Sequence, residues 1–246
     1  MTRTRGFTLI ELLVAMGIGM VVLLLAVTSL DQAGTGYGRS TDGIAAEREA
    51  RAVLTQIAED LSKAVYHREM VMEENDDGLP RDRLGFLVLE PDDAQTDEQR
   101  IGDLCATVYY VKDLQSAGRV QRCLMRGFRG SEETFQALES GDVASLFAET
   151  AADEPVSFGV LSFDIQPLRR SPAGGWQEWP EASMKGADVP PEAVKIRLIV
   201  ARRSLAGKLN STEDWNSSPL IPSPDHVNES NQVESYEIIQ DFAHAS

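Results

Sequence analysis

The sequence predicts an α+β protein in which a long hydrophobic N-terminal helix is followed by an amphipathic helix packed on an antiparallel β-sheet. Three observations lead to this fold class. A nearly uncharged apolar segment runs from Phe7 to Leu30, apolar residues recur at four-residue steps within 44–71, and short alternating runs fill much of the remainder. Helical patterns that precede a series of strand patterns are typical of α+β domains.

The composition supports a folded core and argues against one class of partner. The chain has 246 residues, of which 42% are hydrophobic, and this is enough to bury a core. Its formal net charge is −16, with 39 acidic and 23 basic residues. Because a surface of that sign repels nucleic acid, we expect no nucleic-acid partner.

The first element is the segment from Phe7 to Leu30, whose one charged residue is Glu11. As a helix it would extend roughly 36 Å at about 1.5 Å per residue, which is long enough to cross a bilayer. The preceding residues 1–6 contain arginine at positions 3 and 5 and no acid. These arginines favour a cytoplasmic N terminus, with the rest of the chain translocated.

Three ordinary interpretations of this segment compete. A secretory signal peptide would place a small-residue cleavage site after the apolar run, and residues 27–33 contain no A-x-A pattern. A plain transmembrane anchor would leave Glu11 unexplained, since an acid at mid-bilayer costs roughly 2.5 kcal/mol or more. A helix buried in a soluble protein would have a polar face, and this segment has none.

The residues from Arg5 to Val14, RGFTLIELLV, resemble the type IV prepilin cleavage signal. The resemblance implies that a prepilin peptidase cuts after Gly6 and that the new N terminus, Phe7, is methylated. Residues 1–6 would then be the leader peptide and residues 7–30 the transmembrane and filament-core helix. The fold implied for the rest of the chain is the pilin fold.

In this interpretation the role of Glu11 is subunit assembly. Cleavage creates an ammonium group on Phe7, and Glu11 of one subunit could neutralise the Phe7 amine of its neighbour in the apolar filament core. The helix also contains four small residues, Ala15, Gly17, Gly19 and Ala26. They would let a second helix approach closely. Ordinary membrane-helix composition is an equally good explanation.

Residues 31–43 contain four glycines, each of which costs about 1 kcal/mol relative to alanine in a helix. We therefore predict a flexible segment there, either a loosened or kinked helix or a plain linker. A second, amphipathic helix is predicted from Ile44 to about Val71, with charged residues such as Asp60 on a solvated face. Its apolar face carries Val53, Ile57, Leu61 and Val65.

Residues 44–246 are predicted to form one globular α+β domain of the pilin type, located in the periplasm. Short apolar or alternating runs separated by turn-forming residues indicate its strands. The predicted strands are Leu84–Glu90, Ala106–Lys112, Val120–Arg126, Val156–Gln166, Val194–Arg202 and Tyr236–Phe242.

The two cysteines, Cys105 and Cys123, fall near opposite ends of a candidate hairpin. A disulfide between them is favoured over two buried thiols, because a translocated domain lies where disulfides persist. A turn near Ser116 would instead place Cys123 opposite Tyr109, which weakens the prediction. With three histidines in the chain and no CxxC pattern, a zinc site is not expected.

Acidic residues cluster at 73–77 and again between 90 and 103. Such oxygen-rich loops suit calcium, and some relatives of the pilins bind it, although neither run has the EF-hand spacing. Solvated acidic loops are the simpler interpretation. No other cofactor is expected.

The region from Trp176 and Trp179 to the run Val194–Leu198 resembles the C-terminal part of the J-type minor pseudopilin of type II secretion systems. In that family a tryptophan-containing turn precedes an alternating strand, and here the two rings would cap a sheet edge. The length of the chain leaves the PilW-type minor pilin of type IV pili as an alternative. Residues 210–231 receive no assignment.

The expected function is structural and not enzymatic, because no nucleophile, phosphate-binding or metal-binding motif occurs in a supporting context. The resemblance implies a minor subunit that initiates or caps a type II secretion pseudopilus and so supports protein secretion across the outer membrane. The alternative is a minor pilin of a type IV pilus involved in assembly, adhesion or motility. Expected partners are the prepilin peptidase, other minor and major pilins, and the inner membrane, which the chain would cross once before joining a periplasmic or surface filament.

Overall fold

The structure of the protein is a computed structural model. It describes residues 9–73, 79–90, 104–116, 118–179 and 190–242. Within these ranges it describes only the backbone of residues 15, 31–45, 224, 225 and 228. The chain divides into two compact units, with the boundary between Ile44 and Ala45.

The first element is helix α1, Leu9–Ser62. The predicted start of a second helix at Ile44 is wrong, because the backbone of residues 31–43 belongs to the same helix despite its glycines. The predicted end near Val71 is also wrong. After Ser62 the chain forms two short strands, β1 (Ala64–Val65) and β2 (Val71–Glu73), so Val65 lies in a sheet and not on the helix.

The larger sheet is antiparallel and contains six strands. Its other members are β3 (Arg83–Leu89), β4 (Leu104–Ser116), β5 (Arg119–Arg129) and β6 (Glu154–Phe158). The order is β1-β3-β4-β5-β6, and β2 also pairs with β3. The predicted strands in this region are confirmed, although β4 and β5 extend well beyond the predicted bounds.

A second antiparallel sheet follows, with the order β10-β9-β7-β8. Its strands are β7 (Val160–Arg170), β8 (Trp176–Glu178), β9 (Ala193–Ala201) and β10 (Val233–Asp241). The single predicted strand Val156–Gln166 is divided at Gly159, where φ is +72° and an added Cβ would lie 3.2 Å from the carbonyl oxygen of Ala201. At that glycine the chain leaves one sheet and enters the other. The α+β class is confirmed, but the expected single sheet is two.

Three apolar clusters hold the globular unit together. The main cluster joins the α1 residues Ala50, Ile57 and Leu61 to side chains from both sheets. The second lies on the other face of the larger sheet, under helix α2 (Ser131–Ser140) and the 3-10 helix Val143–Phe147. The third covers the outer face of the smaller sheet.

The covering of the smaller sheet comes from short helices in the C-terminal region. They are α3 (Arg203–Ala206), α4 (Thr212–Ser217) and the 3-10 helix Pro224–Glu229. Helix α4 begins with a capping box between Ser211 and Asp214. Trp215 follows within this helix, is buried, and donates a hydrogen bond from Nε1 to the carbonyl oxygen of Val120 at 3.1 Å. The unassigned segment 210–231 is thus a folded layer of the domain.

The predicted disulfide is wrong. Cys123 pairs in register with Lys112, seven residues along β4 from Cys105, which corresponds to about 24 Å along a strand. The two thiols also belong to different apolar clusters, on opposite faces of the larger sheet. Cysteines this far apart cannot be bridged without rearranging the backbone.

Candidate functional site

The N-terminal part of α1 presents apolar side chains on all sides. Within Leu9–Leu30, the large hydrophobic residues whose side chains are described are 56% to 78% exposed. This segment is long and apolar enough to cross a membrane. Full burial of one Val, Leu or Ile side chain is worth about 1.5–3 kcal/mol, so such a surface needs lipid or other helices around it.

Glu11 lies in the first turn of α1 and is exposed. An acid in the first turn is favoured by the helix dipole, by about 0.3–1 kcal/mol at an exposed site. That gain is smaller than the cost of roughly 2.5 kcal/mol or more for a charge at mid-bilayer. The predicted cleavage and methylation residues, Gly6 and Phe7, lie outside the described residues.

Two of the small residues in the helix, Gly17 and Gly19, have open surroundings. A Cβ added at either position would meet no atom within 4 Å. Nothing among the described residues therefore requires glycine there. The bare backbone remains available for close contact with another helix.

The C-terminal part of α1 is fixed to the larger sheet by a buried polar cluster, which we call the helix-side cluster: Asp60, Tyr109 and Arg126. Tyr109 Oη donates to Asp60 Oδ2 at 2.6 Å. The Nε and Nη2 atoms of Arg126 donate to the same oxygen at 3.1 and 3.0 Å. Burial, with the charge of Asp60, raises the pKa of Tyr109 far above its ordinary value, so the phenol stays protonated and acts as a donor. The cluster sets the position of α1 on the sheet.

The match that supports a family lies at the N terminus. The family model described as the prokaryotic N-terminal methylation motif matches residues 1–27. This range contains the predicted cleavage site, Glu11 and most of the apolar segment. This motif supports a type IV pilin-like family. The comparisons with curated proteins and with solved structures returned no match.

The motif in this pilin-like protein implies processing by a prepilin peptidase and assembly with other pilins. It ends before the globular unit begins, so it does not bear on the J-type or PilW-type resemblance. The motif accounts for the exposure of the apolar helix, because it implies that this segment becomes buried against molecules other than its own chain. The helix Leu9–Leu30 is consistent with anchoring by a single membrane pass.

The acidic runs of the pilin-like protein lie mostly outside the described residues, which include Glu73 and Glu90 but not residues 74–78 or 91–103. Glu73 Oε2 lies 3.9 Å from Arg83 Nε, and Glu90 Oε1 lies 3.8 Å from Lys63 Nζ. Where the structure describes the chain, it contains no group of three or more His, Cys, Asp or Glu side chains that could hold a metal ion. The calcium hypothesis stays a prediction.

The tryptophans are placed at a sheet edge, as predicted. Trp176 begins β8, the edge strand of the smaller sheet, and the Arg170 guanidinium lies 4.8 Å from its ring centroid. Trp179 follows directly after this strand, and its backbone N–H donates to the carbonyl oxygen of Pro167 at 2.9 Å. The Trp176 ring thus lies at the edge of the sheet, and the Trp179 backbone continues the pairing with β7.

Sequence reasoning missed the helix-side cluster, because Asp60 was assigned to the solvated face of the helix. The structure corrects this: Asp60 is only 4% exposed. A signal was present in the sequence, since Asp60 follows Ile57 by three residues and so shares its helical face. A polar residue inside an apolar stripe indicates a buried partner.

Proposed function

We propose that this pilin-like protein is a minor pseudopilin that initiates or caps a type II secretion pseudopilus and so supports protein secretion across the outer membrane. The observation that carries the proposal is the N-terminal methylation motif matched at residues 1–27, together with a helix whose large hydrophobic side chains described between Leu9 and Leu30 are exposed. Such a segment suits a filament core or a membrane. Glu11 lies in the first turn of this helix.

The proposed partner of Glu11 is the N-terminal amine of an adjoining subunit. Cleavage after Gly6 would place an ammonium group on Phe7, at the same end of the helix as Glu11. Between helices, where water is scarce, each charge alone is costly, and the pair is tolerated because opposite charges attract strongly at low dielectric. The pair would fix the axial register of neighbouring subunits.

The globular unit supports a role as a minor subunit through its own features. Trp176 lies in β8, between β7 and β9 in the chain, within the region that resembles the J-type pseudopilins. In the proposed topology residues 7–30 cross the inner membrane once and the domain lies in the periplasm. No enzymatic role and no nucleic-acid partner form part of the proposal.

Mass spectrometry of the first peptide tests the processing step. The protein purified from its native membrane should begin at Phe7 with one added methyl group on the amine. Cells that lack the prepilin peptidase provide the control, since the first peptide of the protein purified from them should retain residues 1–6. A native protein that still begins at Met1 would contradict the proposal.

Replacement of Glu11 tests the assembly step. Glu11→Gln keeps the size of the side chain and removes its charge, so cleavage should continue while incorporation into sheared filaments falls at least about tenfold. The matched control is Glu139→Gln, which removes one exposed charge from α2. Equal incorporation of the Glu11 and Glu139 variants would refute the assigned role.

The alternative is a minor pilin of a type IV pilus that acts in assembly, adhesion or motility. The matched motif ends at residue 27, so it does not distinguish this function from that of a secretion pseudopilin. Deletion of the gene separates them, because a pseudopilin deletion stops secretion of exoproteins and leaves surface pili intact, whereas a pilin deletion does the reverse. Co-purification of the full chain with other minor pseudopilins would add support for the first function.

A further inference from the structure

The smaller sheet ends in a long edge strand, β10, which pairs on one side with β9. From Val233 to Asp241 the two strands pair residue by residue, without a bulge. At about 3.4 Å per residue, such a strand is roughly 30 Å long. A regular edge of this length is a template on which a further strand can pair.

Alternate residues of β10 direct their backbone N–H and C=O groups away from β9. The N–H of Arg202 donates to the C=O of Gln232, one residue before β10, at 2.9 Å. Hydrogen-bonded and non-hydrogen-bonded pairs alternate along an antiparallel ladder, so the even-numbered residues that follow also face β9 through their backbone groups. The backbone groups that point outwards belong to odd-numbered residues, among them Ser235, Glu237 and Ile239.

The outer edge of β10 is open within the part of the chain that the structure describes. There, the backbone groups of Ser235, Glu237 and Ile239 form no hydrogen bond, and β9 is the strand with which β10 pairs. The side chains of these three residues are exposed, and that of Ile239 is 46% exposed. An added strand would therefore meet both free backbone groups and accessible side chains.

The other edges of the two described sheets are short or blocked. Strands β1, β2 and β8 contain two or three residues each. In β6, Pro155 has no N–H to donate, and the N–H of Phe158 donates to Glu49 Oε1 on α1 at 2.5 Å. The pairing of β6 with β5 also shifts register between Leu124 and Met125. Prolines and bulges protect sheet edges from further pairing, and β10 contains neither.

The charges of β10 indicate which kind of strand fits its edge. The strand contains three acids, Glu234, Glu237 and Asp241, and no lysine or arginine. Arg202 pairs with Glu234, and Lys195 Nζ lies 3.2 Å from Glu237 Oε2. Both bases precede β10 in the chain and lie on the β9 side of it, so a strand at the outer edge could place its own bases beside the same acids.

We propose that the outer edge of β10 binds an extended, positively charged segment of another protein, which adds an antiparallel strand to the smaller sheet. Backbone hydrogen bonds would supply affinity, and a lysine or arginine opposite Glu237 would supply selectivity. A second copy of this chain fits less well, because it would bring three more acids, and pairing centred on Glu237 would place that residue opposite itself. The site does not depend on cleavage or on the kind of filament, and it goes beyond the proposed function.

A synthetic peptide, acetyl-KTVTKVTKV-amide, tests this edge. It has the length of β10, and in antiparallel register its lysines lie opposite Asp241, Glu237 and Glu234. Titration calorimetry with the full chain in detergent measures its binding, with titration into detergent alone subtracted. One control peptide is N-methylated at the central amides that would face β10, and the other has glutamate in place of each lysine. The lysine peptide should bind at least about tenfold more tightly than either control.

Ile239→Pro tests the position of the added strand. It removes an outward N–H and leaves the hydrogen bonds to β9 in place, because proline is tolerated where the N–H of an edge strand faces solvent. Binding of the lysine peptide should weaken at least about tenfold, and the unfolding midpoint should stay near that of the wild type. The matched control, Ile239→Val, keeps the N–H and should bind normally.

Hydrogen exchange of the wild-type protein gives a readout that does not depend on the folding of a variant. The lysine peptide should slow amide exchange within residues 233–241, because the outward N–H groups become hydrogen-bonded. Equal affinity for the three peptides, no heat up to about 1 mM, unchanged exchange in β10, or normal binding by a folded Ile239→Pro variant would each overturn the proposal.

Discussion

The two faces of the larger sheet carry similar polar clusters in different surroundings. On one face lies the helix-side cluster of Asp60, Tyr109 and Arg126. On the other lies what we call the loop-side cluster, formed by Asp153, Tyr110 and Arg129. In each, a tyrosine of β4 and an arginine of β5 converge on one aspartate. The aspartate comes from α1 in the first cluster and from the segment before β6 in the second.

The difference lies in how completely each aspartate is bound. Asp153 accepts from Arg129 Nη1 and Tyr110 Oη, both at 2.7 Å, and also from the backbone N–H and hydroxyl of Thr150. The hydrogen bonds from Tyr109 and Arg126 to Asp60 reach one carboxylate oxygen, Oδ2. The Arg126 side chain is 19% exposed, whereas that of Arg129 is 4% exposed. The loop-side cluster is thus an internal support of the fold. The helix-side cluster instead fixes the C-terminal part of α1 to the larger sheet.

The largest effect is expected at Asp153. Asp153→Ala leaves the Arg129 guanidinium and the Tyr110 hydroxyl buried without their acceptor, so the free energy of unfolding should fall by about 3–5 kcal/mol. Urea unfolding of the detergent-solubilised chain, followed by tryptophan fluorescence, measures this loss. The control is Glu139→Ala, an exposed acid on α2, with an expected change within about 0.5 kcal/mol.

Low pH should destabilise the protein through the same residue, Asp153. Burial alone would raise the pKa of Asp153, but hydrogen bonds from Arg129, Thr150 and Tyr110 hold it well below the ordinary carboxyl value. A depressed pKa contributes stability above the unfolded-state value of about 3.9, and this contribution is lost as the pH falls further. The unfolding free energy should therefore decline below about pH 4, and more steeply than in Asp153→Asn. Identical slopes in the two proteins would contradict this assignment.

A smaller effect is expected at the helix-side cluster. Asp60→Ala should lower the unfolding free energy by about 1–3 kcal/mol, because water can reach the partly exposed Arg126 once its partner is removed. Tyr109→Phe keeps the ring and removes only the donor, and should cost about 1 kcal/mol. If Asp60→Ala proved more damaging than Asp153→Ala, the ranking of the two clusters would be reversed.

The smallest effect is expected from reduction. Because Cys105 and Cys123 lie on opposite faces of the larger sheet, a reducing agent should leave the unfolding midpoint unchanged. Burial raises the pKa of the Cys123 thiol to about 12, so the native protein should react slowly with thiol reagents at neutral pH. A midpoint lowered by dithiothreitol would restore the disulfide hypothesis.

Local patterns in the sequence predicted much of the fold. The four-residue steps at Val53, Ile57 and Leu61 identified the buried face of α1, and alternating runs located most of the long strands. Other features depend on distant contacts. Asp60 and Tyr109 are 49 residues apart in the chain, and their pairing cannot be deduced from either segment alone. The division at Gly159 depends in the same way on the approach of the Ala201 backbone.

The N-terminal site and the contacts of the C-terminal layer differ in the same way. The N-terminal signal is a contiguous motif read by a peptidase, so residues 1–14 sufficed to predict it. The contact between Arg122 and Trp215 was not predicted, because the two residues lie 93 positions apart in the chain. Trp215 itself sits in a polar segment with no periodic pattern.

The adjacency of Tyr109 and Tyr110 has a consequence for strand pairing. Successive residues of a strand point to opposite faces, so a shift of β4 by one residue would send each tyrosine to the wrong side. In either direction one aspartate would face the neighbouring tyrosine, and the other would face Val108 or Val111 in place of its hydroxyl donor. A slip of the sheet's two longest strands thus leaves a buried carboxylate without its hydroxyl donor whichever way the strands move.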